Sequence, residues 1–183
     1  MKFSLVLFSL LFLPFIAIAQ DYRGENKVFL KFEKKDKSYY TYESNKLTIE
    51  INRELNLFFF DVDLDTFKSL DSISGTNFWD AFFKKEFHND VLYKGDIPLM
   101  GLDVQSDRKQ GIEVDGILHI GEAKLELPLI LEWIQMDRFV FVDFNYKIKM
   151  KEIGISIPEK YQKELTGNLY IQVLNGKLMG GFR

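Results

Sequence analysis

The chain has 183 residues, with 24 basic and 27 acidic side chains, two histidines and no cysteine. A chain of this size suits one folded domain with a sizeable core. A net charge of −3 gives no electrostatic basis for binding nucleic acid. The lack of cysteine excludes thiol catalysis, zinc–thiolate sites and disulfides. Phenylalanine is frequent, with 18 residues, which indicates a strongly aromatic interior.

The N-terminal segment has the organisation of a cleavable secretory signal peptide. Lys2 supplies a positive charge and is followed by an almost continuous apolar run over residues 3–18. Ala17 and Ala19 place small residues at the −3 and −1 positions of a cleavage site. The apolar run is shorter than the roughly 20 residues that a membrane-spanning helix needs. We therefore predict a signal peptide over residues 1–19, with an uncleaved anchor as the alternative.

The remaining residues, 20–183, form the predicted mature domain. They contain no second apolar run of comparable length, so we expect a soluble protein that is not embedded in a membrane. They also contain no cysteine that could carry a lipid after cleavage. The predicted location of this domain is the periplasm or the exterior of the cell.

Most of the mature sequence alternates between apolar and polar residues, with the period of half-buried β-strands. Short turn sequences such as Ile120-Gly121-Glu122 and the segment 135–138 separate these runs and predict hairpins. Many short strands joined by hairpins indicate an all-β fold, either an antiparallel barrel or a sandwich. The alternating runs cover residues 28–33, 47–51, 58–64, 112–120, 125–133, 140–148 and 169–173.

Two segments depart from the alternation and predict short helices. Asn77 suits the N-cap of the first, Asp80 can complete a capping box, and aromatic residues at i, i+4 spacing give it one apolar face. Pro158 and Glu159 suit the first turn of the second. The predicted helices cover residues 77–87 and 158–165.

No group of side chains in the sequence has the spacing of a known catalytic or metal site. His88 and His119 lack the HxH or HExxH spacing, and there is no P-loop, nucleophile elbow or dinucleotide-binding motif. Asp61, Asp63 and Asp65 alternate along one predicted strand. A solvent-exposed acidic face is a plainer interpretation of this pattern than a cation site. We therefore predict a protein without catalysis, cofactor or metal.

Apolar side chains on the predicted inner face are the candidate lining of a ligand cavity. A barrel of about eight strands either fills its interior with side chains or encloses one small ligand. The residues alone leave both alternatives open. The candidate lining residues are Phe58, Phe60, Leu118, Leu129, Trp133, Phe144 and Tyr146.

Three stretches, in this order along the chain, resemble the YceI-like family of bacterial periplasmic proteins. The first contains Phe67 and the aromatic segment Asn77–Phe83, which is similar to the family's helix after a strand. The second, Val114–Gly121, is similar to its central hairpin. The third, Tyr146–Pro158, is similar to its late strand and the turn that follows.

The resemblance implies a lipocalin-like antiparallel β-barrel, dominated by strands and containing one or two short helices. It also implies that a polyisoprenoid or another amphiphilic lipid binds in the barrel interior, and that the first helix packs over or beside the mouth. A solid-core structural or interaction module of the cell envelope is the alternative. The oligomeric state is left open, and a homodimer is one alternative.

Overall fold

The computed structural model describes residues 22–71, 73–83, 90–98, 108–136 and 139–179. The predicted signal peptide lies outside the described residues. So do the end of the predicted first helix, with Phe87 and His88, and the tip of the predicted hairpin at Asp137 and Arg138.

Strands make up most of the described residues. Eight are long enough to form a barrel wall, and β4 is a two-residue strand. The strands are β1 (Tyr22–Lys34), β2 (Tyr39–Asn52), β3 (Leu57–Asp63), β4 (Lys68–Ser69), β5 (Asp90–Asp96), β6 (Gln110–Ile120), β7 (Ala123–Met136), β8 (Phe139–Lys149) and β9 (Leu165–Met179).

The eight long strands close into an antiparallel barrel. Their order around the barrel is β1-β9-β8-β7-β6-β5-β3-β2, and the pairing of β2 with β1 closes the ring. Strand β4 pairs with β2 outside this ring. Among the described residues β7 pairs with β8 only over Glu132–Met136, so Ala123–Leu131 of β7 have a ladder partner on the β6 side alone. The predicted all-β, antiparallel barrel is confirmed.

Side chains alternate between the interior and solvent along each wall strand, as the period-2 pattern predicts. On β6, for example, Ile112, Val114 and Leu118 are buried, whereas Glu113 and Asp115 are exposed. The inward positions of all eight strands meet in one core. Among the described residues the buried polar side chains are Asn26 and Ser44. The inner wall is therefore almost entirely apolar.

Strand β5 was not predicted from the sequence. Its inward positions are Val91, Tyr93 and Gly95, and the buried Ile97 follows directly after it, so a glycine interrupts the apolar alternation. Gly95 lies opposite Gly116 of β6, and the two backbones approach closely there. A Cβ atom at Gly116 would lie 2.5 Å from the carbonyl oxygen of Lys94. The glycines that weaken the sequence pattern are therefore required by the packing.

The first helix begins earlier than predicted. Helix α1 spans Ile73–Phe78 and continues as a π-helical turn over Trp79–Phe83, so Asn77 lies within the helix and is not its N-cap. Gly75 lies inside this helix although glycine has a low helix propensity. Burial of Phe78 and Trp79 outweighs that preference.

The second helix is shorter than predicted. Helix α2 spans Glu159–Gln162, directly after Pro158, and the chain enters β9 at Leu165. A 3₁₀ turn over Met150–Ile153 links β8 to the segment before α2. In the described ranges, no helix is both long and apolar enough to cross a membrane.

Candidate functional site

The middle of the barrel is occupied by stacked aromatic rings. Phe60 on β3 and Phe144 on β8 have ring centroids 5.0 Å apart and an interplanar angle of 22°. These two strands are four positions apart in a ring of eight, so the rings come from opposite walls. Tyr93 also stacks with Phe60, at 5.5 Å, and Phe58 lies 6.5 Å from Phe60. The interior is therefore filled with side chains at this level.

Tyr93 is held in this stack by its hydroxyl group. The hydroxyl donates a hydrogen bond to the carbonyl oxygen of Val114 at 2.6 Å, and the carbonyl oxygen of Leu127 lies 3.2 Å away. Burial, together with the negative charge of Asp115, raises the pKa of Tyr93. The hydroxyl therefore keeps its proton and remains a donor. A Cβ atom at Gly116 would lie 2.7 Å from this ring, so glycine also leaves room for it.

The predicted lining residues all lie on the inner wall, but they do not form a single cluster. Phe58, Phe60 and Phe144 contact one another through the stack described above. Leu118 is the β6 partner of Tyr93, and Leu129 is the β7 partner of Val114. Both leucines are buried.

Trp133 and Tyr146 lie at different heights of the barrel. Trp133 is fully buried and pairs with Val142 on β8. Tyr146 is four residues further along β8, which corresponds to about 13 Å at the rise of a strand. Tyr146 is half-buried, and this burial raises its pKa. A ligand that contacted both side chains would have to be long and extended.

Aromatic residues of α1 and of the π-helical turn that follows it close one end of the barrel. Phe78 stacks on Tyr40 at 5.6 Å and meets the edges of Phe32 and Tyr161 at 5.0 and 4.9 Å. Phe83 packs against Phe32 at 4.8 Å. The helix therefore packs over this end, where the sequence analysis expected it.

Tyr42 fixes the first part of α1. Its hydroxyl donates a 2.6 Å hydrogen bond to the carbonyl oxygen of Gly75, and its ring lies 4.5 Å from that of Trp79. Burial raises the pKa of Tyr42, so the hydroxyl stays protonated. Tyr40, Tyr42 and Tyr93 were not predicted to lie in the interior. The available signal was the period-2 spacing of Tyr40, Tyr42 and Ser44 on β2 and of Val91 and Tyr93 on β5, but the buried positions of β2 change phase between Ser44 and Leu47.

Two depressions are lined by described residues, and both lie on the outer surface. One, of about 630 Å³, covers β5, β6 and β7 around Lys94, Asp115 and Glu126. The other, of about 580 Å³, lies between the end of β8, the segment before α2 and the start of β9. Neither is lined by Phe58 or Phe60, so neither reaches the stack in the described part of the chain.

The acidic and histidine side chains considered in the sequence analysis have structural or surface positions. Asp63 accepts a 2.7 Å hydrogen bond from the backbone N–H of Asp65 and so caps a 3₁₀ turn. His119 lies on the outer side of β6, opposite Lys124. Among the residues that the structure describes, no three histidine, aspartate or glutamate side chains are grouped so as to hold a metal ion.

Comparison with solved structures identifies the class of fold. A polyisoprenoid-binding domain from Saccharophagus degradans, implicated in plant cell wall breakdown, aligns with a TM-score of 0.69 and 10% identity, covering 88% of this chain and 98% of that domain. BcnA of Burkholderia cenocepacia aligns with a TM-score of 0.60 and 13% identity, covering 82% and 94%. A mutant CJ YceI protein with a monobromobimane guest aligns with a TM-score of 0.46 and 12% identity, covering 78% and 82%.

No protein-family model matches the chain, and no curated protein matches it. The likeness to the first two solved structures extends over nearly their whole length. The chain therefore has the YceI-like eight-stranded barrel fold, and the resemblance stated in the sequence analysis is confirmed for the fold.

Proposed function

We propose that the chain is an exported, soluble, non-catalytic carrier that binds a polyisoprenoid or another amphiphilic lipid inside its barrel. The observation that carries this proposal is the almost entirely apolar inner wall of a closed barrel. The same fold occurs in a domain described as polyisoprenoid-binding, which supports the choice of ligand class. An apolar chain in such an interior is stabilised by the removal of its surface from water.

Binding requires the stacked rings of Phe60 and Phe144 to separate. An aromatic pair of this kind contributes about 0.5–1.5 kcal/mol beyond the burial of its area. Each buried CH₂ group of a lipid chain contributes about 0.8 kcal/mol. A few methylene groups therefore offset the lost ring contact, and a polyisoprenoid carries many more. The stack is consistent with a carrier whose rings move aside when the ligand enters.

A second candidate is a structural or interaction module with a solid core. The specific observation in its favour is the contact of Phe60 with Phe144 from opposite walls of the barrel. If the rings stay in place in solution, no lipid chain can pass this level.

Lipid extraction and native mass spectrometry of the purified protein distinguish the two candidates. A carrier retains lipid, or takes up a fluorescent lipid analogue after delipidation with a stoichiometry near one. As a control, lysozyme or another solid-core protein of similar size measures nonspecific uptake. If the protein retains no lipid and shows no specific uptake, the carrier is refuted and the solid-core module is the function that fits the barrel.

Export is the second element of the proposal. It is supported by the apolar run over residues 3–18 and the small residues at 17 and 19, which divide the chain into a signal peptide and a mature domain over residues 20–183. Outside the inner membrane, a free amphiphile needs a soluble carrier because its apolar chain is poorly soluble in water.

A further inference from the structure

Two segments that are distant in sequence lie side by side at one end of the barrel. The backbone N–H of Lys35, in the turn between β1 and β2, donates a 2.8 Å hydrogen bond to the carbonyl oxygen of Glu164. The ammonium group of Lys35 donates a 2.8 Å hydrogen bond to the carbonyl oxygen of Gln162. We call the surface formed by residues 33–37 and 147–164 the basic end.

The basic end has a charge opposite to that of the whole chain. Its two segments contain eight lysines and five acidic residues, which gives a net charge of +3. Since the whole chain carries −3, the rest of the chain carries −6. The barrel therefore presents a local positive surface on an acidic protein.

Most acidic groups of the basic end have local partners. Glu33 accepts hydrogen bonds from the side chains of Thr166 and Asn168. Glu164 accepts a 2.6 Å hydrogen bond from the hydroxyl of Tyr40 and lies 3.6 Å from the ammonium group of Lys34. Two more acids bond to nearby N–H or O–H groups: Asp36 to Ser38, and Glu152 to the backbone of Lys149.

Several lysines of the basic end are exposed and free to meet an external anion. Within the described ranges, Lys37, Lys149, Lys151 and Lys163 form no ion pair. All four side chains are exposed to solvent. Their charges are therefore not neutralised by the acids of the same surface.

The 580 Å³ cleft lies within this surface. Lys149 and Lys151 line it together with Met150, Ile155 and Ile157, of which Ile157 is the more exposed, and with Thr166 and Asn168, which bond the carboxylate of Glu33. A depression of this size can admit a small polar group. Its ammonium groups suit the phosphate of a lipid head group. Its apolar side chains suit the glycerol or prenyl carbons next to that phosphate.

An exposed aromatic side chain borders the same surface. Tyr39 follows the turn of the basic end, is 37% exposed, and contacts Tyr170 of β9 edge-on at 5.8 Å. Tyrosine is enriched where proteins meet the head-group region of a membrane, because its ring is apolar and its hydroxyl is polar.

We propose that the basic end docks on an anionic lipid bilayer, with a lipid phosphate in the cleft beside Lys149 and Lys151. The biological meaning of this docking rests on the proposed carrier function, since it would bring the barrel to the source or destination of its ligand. Docking itself depends only on surface charge and can be measured separately.

Co-sedimentation with lipid vesicles tests the proposal. The full mature chain is mixed with vesicles of phosphatidylcholine alone, or of phosphatidylcholine with roughly 30% phosphatidylglycerol. We expect binding to the anionic vesicles only, with most of it lost between about 50 and 300 mM salt. Equal binding to both vesicle types, or no binding to either, would overturn the proposal.

A pair of double variants locates the surface. Each lysine near an anionic bilayer contributes about 1 kcal/mol, so Lys149→Gln with Lys151→Gln should weaken binding about 30-fold. The matched control, Lys94→Gln with Lys177→Gln, removes the same charge from β5 and from the far end of β9, and should change binding less than about threefold. Similar losses in both variants would contradict docking through the basic end. Circular dichroism and thermal unfolding check that both variants fold.

Two further arms separate the docking from other binding events. Inorganic phosphate at matched ionic strength should not displace the protein from the vesicles, and displacement would assign the cleft to free phosphate instead. Uptake of a fluorescent lipid analogue from solution reports the carrier function. Loss of docking with normal uptake refutes only the docking surface, whereas docking without uptake refutes only the carrier.

Discussion

Phe144→Ala removes the ring that reaches across the barrel to Phe60. Phe144 is 4% exposed, so nearly the whole ring is lost from the core. Substitution of a buried phenylalanine by alanine costs about 3–5 kcal/mol. The ring is stacked, and the walls of a closed barrel cannot easily collapse into the space that it leaves. We therefore expect the free energy of unfolding of the delipidated protein to fall by about 4 kcal/mol, which corresponds to a fall in Tm of roughly 10 °C.

Urea unfolding followed by tryptophan fluorescence measures this loss. Trp79 and Trp133, the two tryptophans of the chain, are both buried and report on different ends of the barrel. Phe141→Ala on the same strand is the matched control. Phe141 is only partly buried and points outward, so its substitution should cost less than about 1.5 kcal/mol.

The ligand dependence of the loss tests the carrier. An added polyisoprenoid should recover more stability in Phe144→Ala than in the unsubstituted protein, because the space left by the ring can hold part of the lipid chain. A loss below about 1 kcal/mol without ligand would refute the packing argument. If Phe144→Ala loses the expected free energy of unfolding and no added lipid restores any of it, the carrier function is refuted and the solid-core module is supported.

Two further substitutions and one mass measurement test the hydrogen bond of Tyr93, the close backbone approach at Gly116 and the predicted cleavage after residue 19. Tyr93→Phe removes the donor to the carbonyl of Val114 and should lower the free energy of unfolding by about 1–3 kcal/mol in urea titrations, and an unchanged midpoint would contradict the role of the hydroxyl. Gly116→Ala places a Cβ atom 2.5 Å from a backbone oxygen. It should cost about 3 kcal/mol or more or prevent soluble expression, whereas Gly111→Ala on the same strand, with open space around it, should change stability by less than about 1 kcal/mol in either direction. The intact mass of protein from the periplasmic fraction or medium should correspond to a chain that begins at Gln20, and a mass that includes residues 1–19 would contradict cleavage.

Most wall strands could be predicted because strand alternation is a local property, whereas the choice of a barrel over a sandwich came from the resemblance to the YceI-like family. Wherever the inward residues are large and apolar, as at Phe58 and Phe60, the period-2 pattern identifies the strand and its buried face. Strand β5 was missed because Gly95 supplies no side chain at an inward position. The reason for that glycine, its close approach to Gly116, depends on the pairing of two strands.

The candidate site was predictable only in part. The inner face of each strand follows from its own pattern, and all seven predicted lining residues do lie on the inner wall. The contact between Phe60 and Phe144 depends on which strands stand opposite one another and on how far each is shifted along the barrel. No local pattern contains that information, so the filled middle of the barrel became visible only in the structure.

The pairing of β1 with β9 sets the moment at which the barrel can form. Val28 pairs with Val173, about 145 residues later, so the wall stays open until almost the whole chain is present. Long-range pairing of this kind slows folding, because a large loop must be ordered before its contacts form. For a chain that crosses a membrane from its N-terminus, this delay is an advantage. If the chain is exported as proposed, its leading strands would cross before the last strand arrives to complete the closed wall.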